Sequence, residues 1–356
     1  MRVLCLAFSA LSVAAVGAPS LHPQEVVPQT EAQDIHEITN IIEAGVRAQF
    51  QRDGLATRDA HAKHHGCVNA TVRVLERLPA AYAVGVFSTP ATYRAIIRFS
   101  NGMGSAKDDR DGDARGFALK LLDVPGEKVL EEERDAKTQD FLMINHHVFF
   151  VRNVADYVQF SKASGAGSPV SFFLGWNPFK WHLKEAMIAN SIRSKTVTNP
   201  LETRYASMTP ILMGDIPAKY AVTPCKDQQY VKVPSSPNQL REALALQLQP
   251  NLSEPGVCFE LGIQLQTDTC KMPVEDPTVA WSEKHSPYKT VAIIDIPRQE
   301  FLSKEALTSC ENLSFTPWHT LPEHRPIGGI QRARKEIYQT ISKVRHELNQ
   351  QPCKEP

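Results

Sequence analysis

The 356-residue chain lacks any excess of charge, with 39 Lys and Arg against 39 Asp and Glu. That balance excludes a broad electrostatic drive toward nucleic acid or an anionic membrane, so an anionic ligand would have to be held by local arginines. Beyond its first residues the chain also lacks an apolar run long enough to cross a bilayer, and no membrane segment is expected. No internal repeat is visible. A chain of this length and ordinary composition is expected to form one large domain, or one domain with a small appendage.

Cysteine is sparse, seven residues in all, and the first of them sits in a segment of its own. Met1-Arg2-Val3-Leu4 opens a mostly apolar run to Val16, and Gly17-Ala18-Pro19 follows. A charged start, a short apolar stretch and small residues at its end read as a signal peptide over 1–18, cut after Ala18. The protein is therefore expected to be secreted and extracellular, or periplasmic in a bacterial source. Cys67, Cys225, Cys258, Cys270, Cys310 and Cys353 remain, an even number that allows up to three disulfides of undetermined pairing. Sequons at Asn69, Asn251 and Asn312 fit the same compartment.

Residues 19–34 are rich in Pro, Gln and Glu and are expected to form a flexible arm. The domain proper is expected over 35–350, with a tail at 351–356. From Ile35, the spacing of Ile38, Ile41, Ile42, Val46 and Phe50 predicts an amphipathic helix ending near Asp53-Gly54. Short runs rich in β-branched and aromatic residues then predict strands at 71–75, 82–87, 93–99, 116–122, 148–151, 220–223, 230–233, 258–265 and 290–296. The middle, from Val154 to Ile192, reads as helical. Strands spread along most of the chain with helices between them suggest an α+β fold, a closed antiparallel β-barrel with helical insertions.

A last helix is expected from about Ile330 to Leu348, after Pro326-Ile-Gly-Gly329. At 100° per residue, Ile330, Ile337, Ile341, Val344 and Leu348 form its apolar stripe, while Arg334, Tyr338 and Arg345 fall within roughly 40° of one another beside it. Two arginines and a tyrosine on the edge of a buried face call for an anionic group nearby.

Five blocks in order carry the chemistry: Arg58-Asp-Ala-His61-Ala-Lys63, Arg98-Phe-Ser100, Asp113-Ala-Arg-Gly-Phe-Ala118, Asn145-His-His-Val-Phe149-Phe150, and Arg334, Tyr338 and Arg345 in the last helix. Each is common alone. In this order, and with the 334/338/345 spacing, they resemble the haem-binding blocks of the catalase superfamily over residues 58–345. The resemblance is nearest to the small catalase-related haem proteins, which lack the long C-terminal helical tail.

The resemblance implies a catalase-type barrel, a haem-proximal C-terminal helix, and haem b (heme b) as cofactor. Tyr338 would be the axial ligand to ferric iron. A free phenol ionises near pH 10, so a phenolate at neutral pH costs about 4 kcal/mol. An ion pair at about 4 Å supplies roughly that much, and Arg334, one turn earlier, is placed to make it. Arg58, Arg98 and Arg345 resemble the arginines that hold the haem propionates. His61 is the candidate distal base, Ser100 the residue that orients it, Asn145 the amide that donates to bound peroxide, and Phe149 the apolar cover.

The sequence departs from the family pattern in the fourth block. Counting back from Phe149-Phe150, the active-site asparagine of true catalases falls on Ile144, with Asn145 beside it, and His147 replaces a proline. The implied activity is a haem peroxidase with weak or partial catalase action. Its partners would be hydrogen peroxide or an organic peroxide and a small reducing co-substrate, with a homo-oligomer as a compatible assembly. Beside this stand rearrangement of a fatty-acid hydroperoxide by the same cofactor, a non-catalytic haem-binding role, and a non-haem metal site drawn from His61, His64 and His65 and the pair His146-His147.

Overall fold

The computed structural model describes residues 21–252 and 256–352. The expected signal peptide at 1–18, Ser253 of one sequon and Cys353 lie outside these residues.

The chain opens with α1 (Glu31–Asp53), then β1 (His64–Val74), β2 (Thr92–Asn101), β3 (Arg115–Leu122) and β4 (Thr138–Ile144). Next come the helices α2 (Val154–Gly165), α3 (Val170–Phe173) and α4 (Leu183–Arg193), and the strands β5 (Tyr205–Ala206), β6 (Ile211–Met213) and β7 (Ile216–Pro224). The remainder is α5 (Gln239–Gln247), β8 (Val257–Leu265), β9 (Lys289–Ile296), α6 (Lys304–Asn312) and α7 (Gly329–Leu348). Strand order is β5-β4-β3-β2-β1-β9-β8-β7-β6, every pairing antiparallel, and a further β5–β7 pairing closes the ring. All strands except β6, a hairpin partner on β7, therefore form a closed barrel, which leaves no long sheet edge exposed.

Alternation builds the barrel. In β1, Val68, Ala70, Val72 and Val74 point inward while Asn69, Thr71 and Arg73 face solvent. The interior is filled by side chains from all round the ring, among them Phe99, Phe117, Phe141, Tyr205, Tyr220 and Phe259. A second apolar cluster lies outside the barrel, where Ile35, Ile38 and Val46 of α1 meet Val154 and Val158 of α2 and Ile337, Ile341 and Val344 of α7. The space between that helical layer and the barrel wall is where the candidate site lies.

Several expectations are corrected. The first helix begins at Glu31, inside the stretch read as a flexible arm, and Glu25 of that stretch is buried against Arg325 and Arg332 at 3.0 and 2.8 Å. Local apolarity misled at 82–87, where the chain forms a 3-10 turn over Gly85–Phe87, and at 148–151 and 230–233, which are irregular. β4 was not foreseen, because Thr138, Gln139 and Asp140 are polar yet buried, and Asp140 is matched by Lys120 at 2.8 Å and His319 at 2.9 Å. The helical middle is three helices, and the last helix runs as expected from its glycine pair. Gly328 there has φ 92°, and a side chain on it would meet Val274 O at 2.7 Å.

Candidate functional site

The floor of the site is the outer face of β2, β3 and β4. Register sets it in two rows: Ser100 opposite Gly116 opposite Ile144, and Arg98 opposite Ala118 opposite Leu142. Ile97 and Phe99, between the floor positions of β2, point into the barrel. The roof is one face of α7, with Ile330, Arg334, Ile337, Tyr338, Ile341 and Arg345, joined by Tyr157 of α2 and by Phe149. Together they enclose a cavity with about 1260 Å³ of empty space, its mouth included. Of the residues expected at the site, Arg58, His61, Arg98, Ser100, Phe149, Arg334, Tyr338 and Arg345 all line this cavity.

His61 is held in an unusual backbone conformation, with φ 60°. A non-glycine residue there is strained, and the surroundings must hold it in place. Its N–H donates to Gly102 O at 3.0 Å, its carbonyl accepts from Arg98 Nη2 at 2.8 Å, and its Nδ1 lies 3.0 Å from Ser100 Oγ. Asp113 fixes the supporting turn by accepting from the N–H groups of Gly102 and Met103, both at 2.9 Å. Gly116 is required beneath the ring, since a Cβ at that position would stand 2.5 Å from both His61 Nδ1 and Ser100 Oγ. Burial, reinforced by the Arg98 charge, pushes the imidazole down to about 4, so it is neutral at physiological pH. A neutral imidazole in a cavity can accept a proton.

On the roof, Arg334 Nη2 donates to Tyr338 Oη at 2.9 Å, and its guanidinium also lies 5.0 Å from the centre of the Tyr338 ring. Burial works against the Arg334 charge, but the Tyr338 oxygen outweighs it and holds the guanidinium above its ordinary value. A guanidinium donating to that oxygen can stabilise negative charge brought near it.

The third part is an arginine cluster at one end. Arg58, Arg345 and Arg98 converge on the single carboxylate of Glu311, at 2.8, 3.5 and 3.9 Å. Arg98 is 3% exposed, its Nε has no hydrogen-bond partner among the described residues, and burial together with Arg58 holds its pKa well below the ordinary value. Such a cluster can take carboxylates of a ligand. Glu311 is placed by the disulfide Cys67–Cys310, which ties α6 to β1, and a second disulfide joins Cys225 to Cys258. Among the described residues Cys270 is a free thiol.

Asn145 does not join the others. It lies one residue beyond Ile144, so alternation turns it off the floor. Its Oδ1 accepts from Arg115 N–H at 2.8 Å, and Ile144 takes the cavity position. The histidines read as a metal cluster also diverge: His61 meets Ser100, His65 Nε2 lies 3.0 Å from Asn101 Oδ1, and His64 Nδ1 lies 3.5 Å from Cys310 Sγ. Sequence reasoning missed Glu311, Tyr157 and Asp59. Glu311 and Tyr157 lie outside the motifs that carry the resemblance, and Asp59, inside the first block, carries no signal of type or spacing that would single it out. Asp59 faces the cavity, and burial pushes its carboxyl up to about 6.

No protein-family model matches the chain, and no curated protein matches it at the level of sequence. Solved structures do. Catalase A from Saccharomyces cerevisiae superposes with a TM-score of 0.66 at 20% identity, covering 86% of this chain and 65% of that one. A fungal catalase gives 0.65 at 19% identity over 86% of this chain and 63% of the other, and a bacterial catalase 0.61 at 16% over 97% and 67%. The chain thus spans a little under two thirds of the yeast and fungal catalase chains. At these identities the likeness is one of architecture, and the conclusion it carries is that this chain has the catalase fold.

Proposed function

We propose that the protein binds haem b between α7 and the β2–β3–β4 floor and decomposes peroxides with it. The observation that carries this reading is the pairing of Arg334 with Tyr338 in the same cavity that holds the His61–Ser100 pair. The residues fit an iron porphyrin. Tyr338 offers an oxygen ligand with a cation behind it, and Gly116 and Ala118 keep the floor low for a flat ring. Arg58, Arg98 and Arg345 offer partners for propionates, Arg98 with a donor still unused.

Bound there, ferric haem would supply the oxidation and reduction that no side chain in the cavity can. The protein's own part is proton handling and positioning. With Nδ1–H donating to Ser100 Oγ, His61 keeps Nε2 bare, takes a proton from one peroxide oxygen and returns it to the other as the O–O bond breaks. Phe149 and Ile144 keep bulk water away. Ile144 stands where an amide would hold the peroxide, so oxygen release from hydrogen peroxide is expected to be weak relative to one-electron oxidation of a small reductant. The same apolar wall favours an organic hydroperoxide as a second substrate class, with rearrangement as the alternative outcome. The two disulfides support the exported location read from the N-terminus.

The test uses purified full-length protein reconstituted with haem. Tyr338→Phe should lose the high-spin ferric absorption bands and release haem readily. His61→Ala should keep haem and lose peroxide turnover by about two to four orders of magnitude. Product analysis with lipid hydroperoxide separates rearrangement from reduction. A wild-type protein that takes up no haem, or a His61→Ala variant with full turnover, would overturn the proposal.

A further inference from the structure

Away from the cavity, the helical insertion brings Asp156, His182 and Glu185 together so that one ligand atom from each lies within 4.8 Å of the others. Each residue is set by its place at a helix start. Asp156 is the third residue of α2, whose N-terminus is capped by Asn153 accepting from its N–H at 2.9 Å. His182 caps α4, and Glu185 is that helix's third residue, so both project from one side of its first turn. The His182 ring is fixed by stacking on Phe172, with centroids 4.3 Å apart.

The charges do not balance. Asp156 and Glu185 are each only 6% exposed, and two carboxylates this close repel one another. Asp156 has a partner in Arg152 at 3.3 Å, an arginine whose own side chain is 51% exposed. Glu185 makes no hydrogen bond or ion pair with any described residue, although it borders a surface pocket. A buried carboxylate without a partner, facing a second carboxylate and an imidazole, needs a cation.

We propose that Asp156, His182 and Glu185 bind a divalent transition-metal ion, zinc being the best match to one imidazole and two carboxylates, with a fourth position left to water. Three ligands including an imidazole are too few and too soft for calcium. The ion clamps α2 to the start of α4. Tyr157, next to Asp156, lines the cavity beneath α7, so the clamp also fixes one wall of the candidate site.

The experiment strips the full-length chain with a chelator and titrates it with zinc sulfate by calorimetry, scoring metal content independently of haem. Wild type should bind a zinc ion and melt at a higher temperature with it. His182→Ala and Glu185→Gln should each weaken binding by at least about tenfold, while His36→Ala, at an exposed histidine beside Glu336, should bind as wild type does. Metal-free Glu185→Gln should melt no lower than metal-free wild type, since it removes the repulsion. No zinc binding by wild type, unchanged affinity in the two triad variants, or loss of it in His36→Ala would overturn the proposal. So would a metal-free Glu185→Gln that melts lower, since the protein itself would then be holding the carboxylate.

Discussion

Single positions decide what the cavity can do. Gly116 is the clearest, because its missing side chain is the space in which His61 and Ser100 meet. Gly116→Ala must push the ring or the floor strand aside. The expected cost is about 1–3 kcal/mol of stability from overpacking, with a loss of turnover of roughly a hundredfold from a misplaced base. Thermal melts and peroxide assays on the same preparation check both. The pH profile is a second test. Because burial and Arg98 hold His61 near 4, its neutral form persists well below the pH at which a free imidazole charges. Turnover should therefore stay flat as pH falls from 7 and fail only on approach to about 4. An acid limb centred near 6.5 would mean that the base is an ordinary solvated histidine.

Among helices and strands, the link between α6 and β1 matters most to the site. Cys67–Cys310 joins residues 243 apart in sequence and sits next to Glu311, on which the arginine cluster converges. Replacing both cysteines by serine removes a very long covalent loop, and a loss of about 2–5 kcal/mol is expected in denaturant unfolding. On the proposed haem reading, affinity for haem should fall with it, because Arg58 and Arg98 lose a fixed partner.

How much of this was readable from the residues follows the same division. α1, α7 and most barrel strands announce themselves by apolar period, since each buries one regular face. β4 could not be read, because its buried Asp140 is satisfied by Lys120 across the strand pairing with β3 and by His319 from a distant part of the chain. The Asn145 assignment shows a finer limit. Which of two adjacent residues faces a cavity depends on where the strand's alternation starts, and pairing with β3 fixes that.

Across the protein, buried histidines set the response to acid. Burial pushes His324, 1% exposed, down to about 4, and it pushes His64 and His65 to about 3 and His147 to about 4. For each, the unfolded chain takes up protons first as pH falls. The stability these groups contribute is complete above about 6.5 and lost on the way down to their folded values. His324 alone accounts for about 3 kcal/mol. Asp59, raised to about 6, and Asp113, also raised by burial, work the other way but are outnumbered by the histidines. On the alkaline side, burial and Lys120 disfavour charge on His319, yet Asp140 outweighs them and lifts it to about 9. Its contribution is complete below about 6.5 and lost as pH rises toward 9. Melting temperature should therefore decline as pH falls from about 6.5 toward 4, while above pH 7 the loss at His319 is opposed by Lys219, which burial pushes down to about 7 and whose contribution grows as pH rises. A melting temperature that does not change between pH 4 and 6.5 would contradict this.

The amino-acid order alone singled out eight of the residues that line the cavity, through short blocks and the one-turn spacing of Arg334 and Tyr338, because local periodicity places neighbours on a helix without help from the rest of the chain. It was also enough for a barrel class, since alternating strands need a shared core. Only the folded chain decided that Ile144 rather than Asn145 faces the cavity, that Glu311 gathers three arginines, and that Asp156, His182 and Glu185 converge. Those facts depend on strand register, a long-range disulfide and helix packing, which join residues that no local pattern relates.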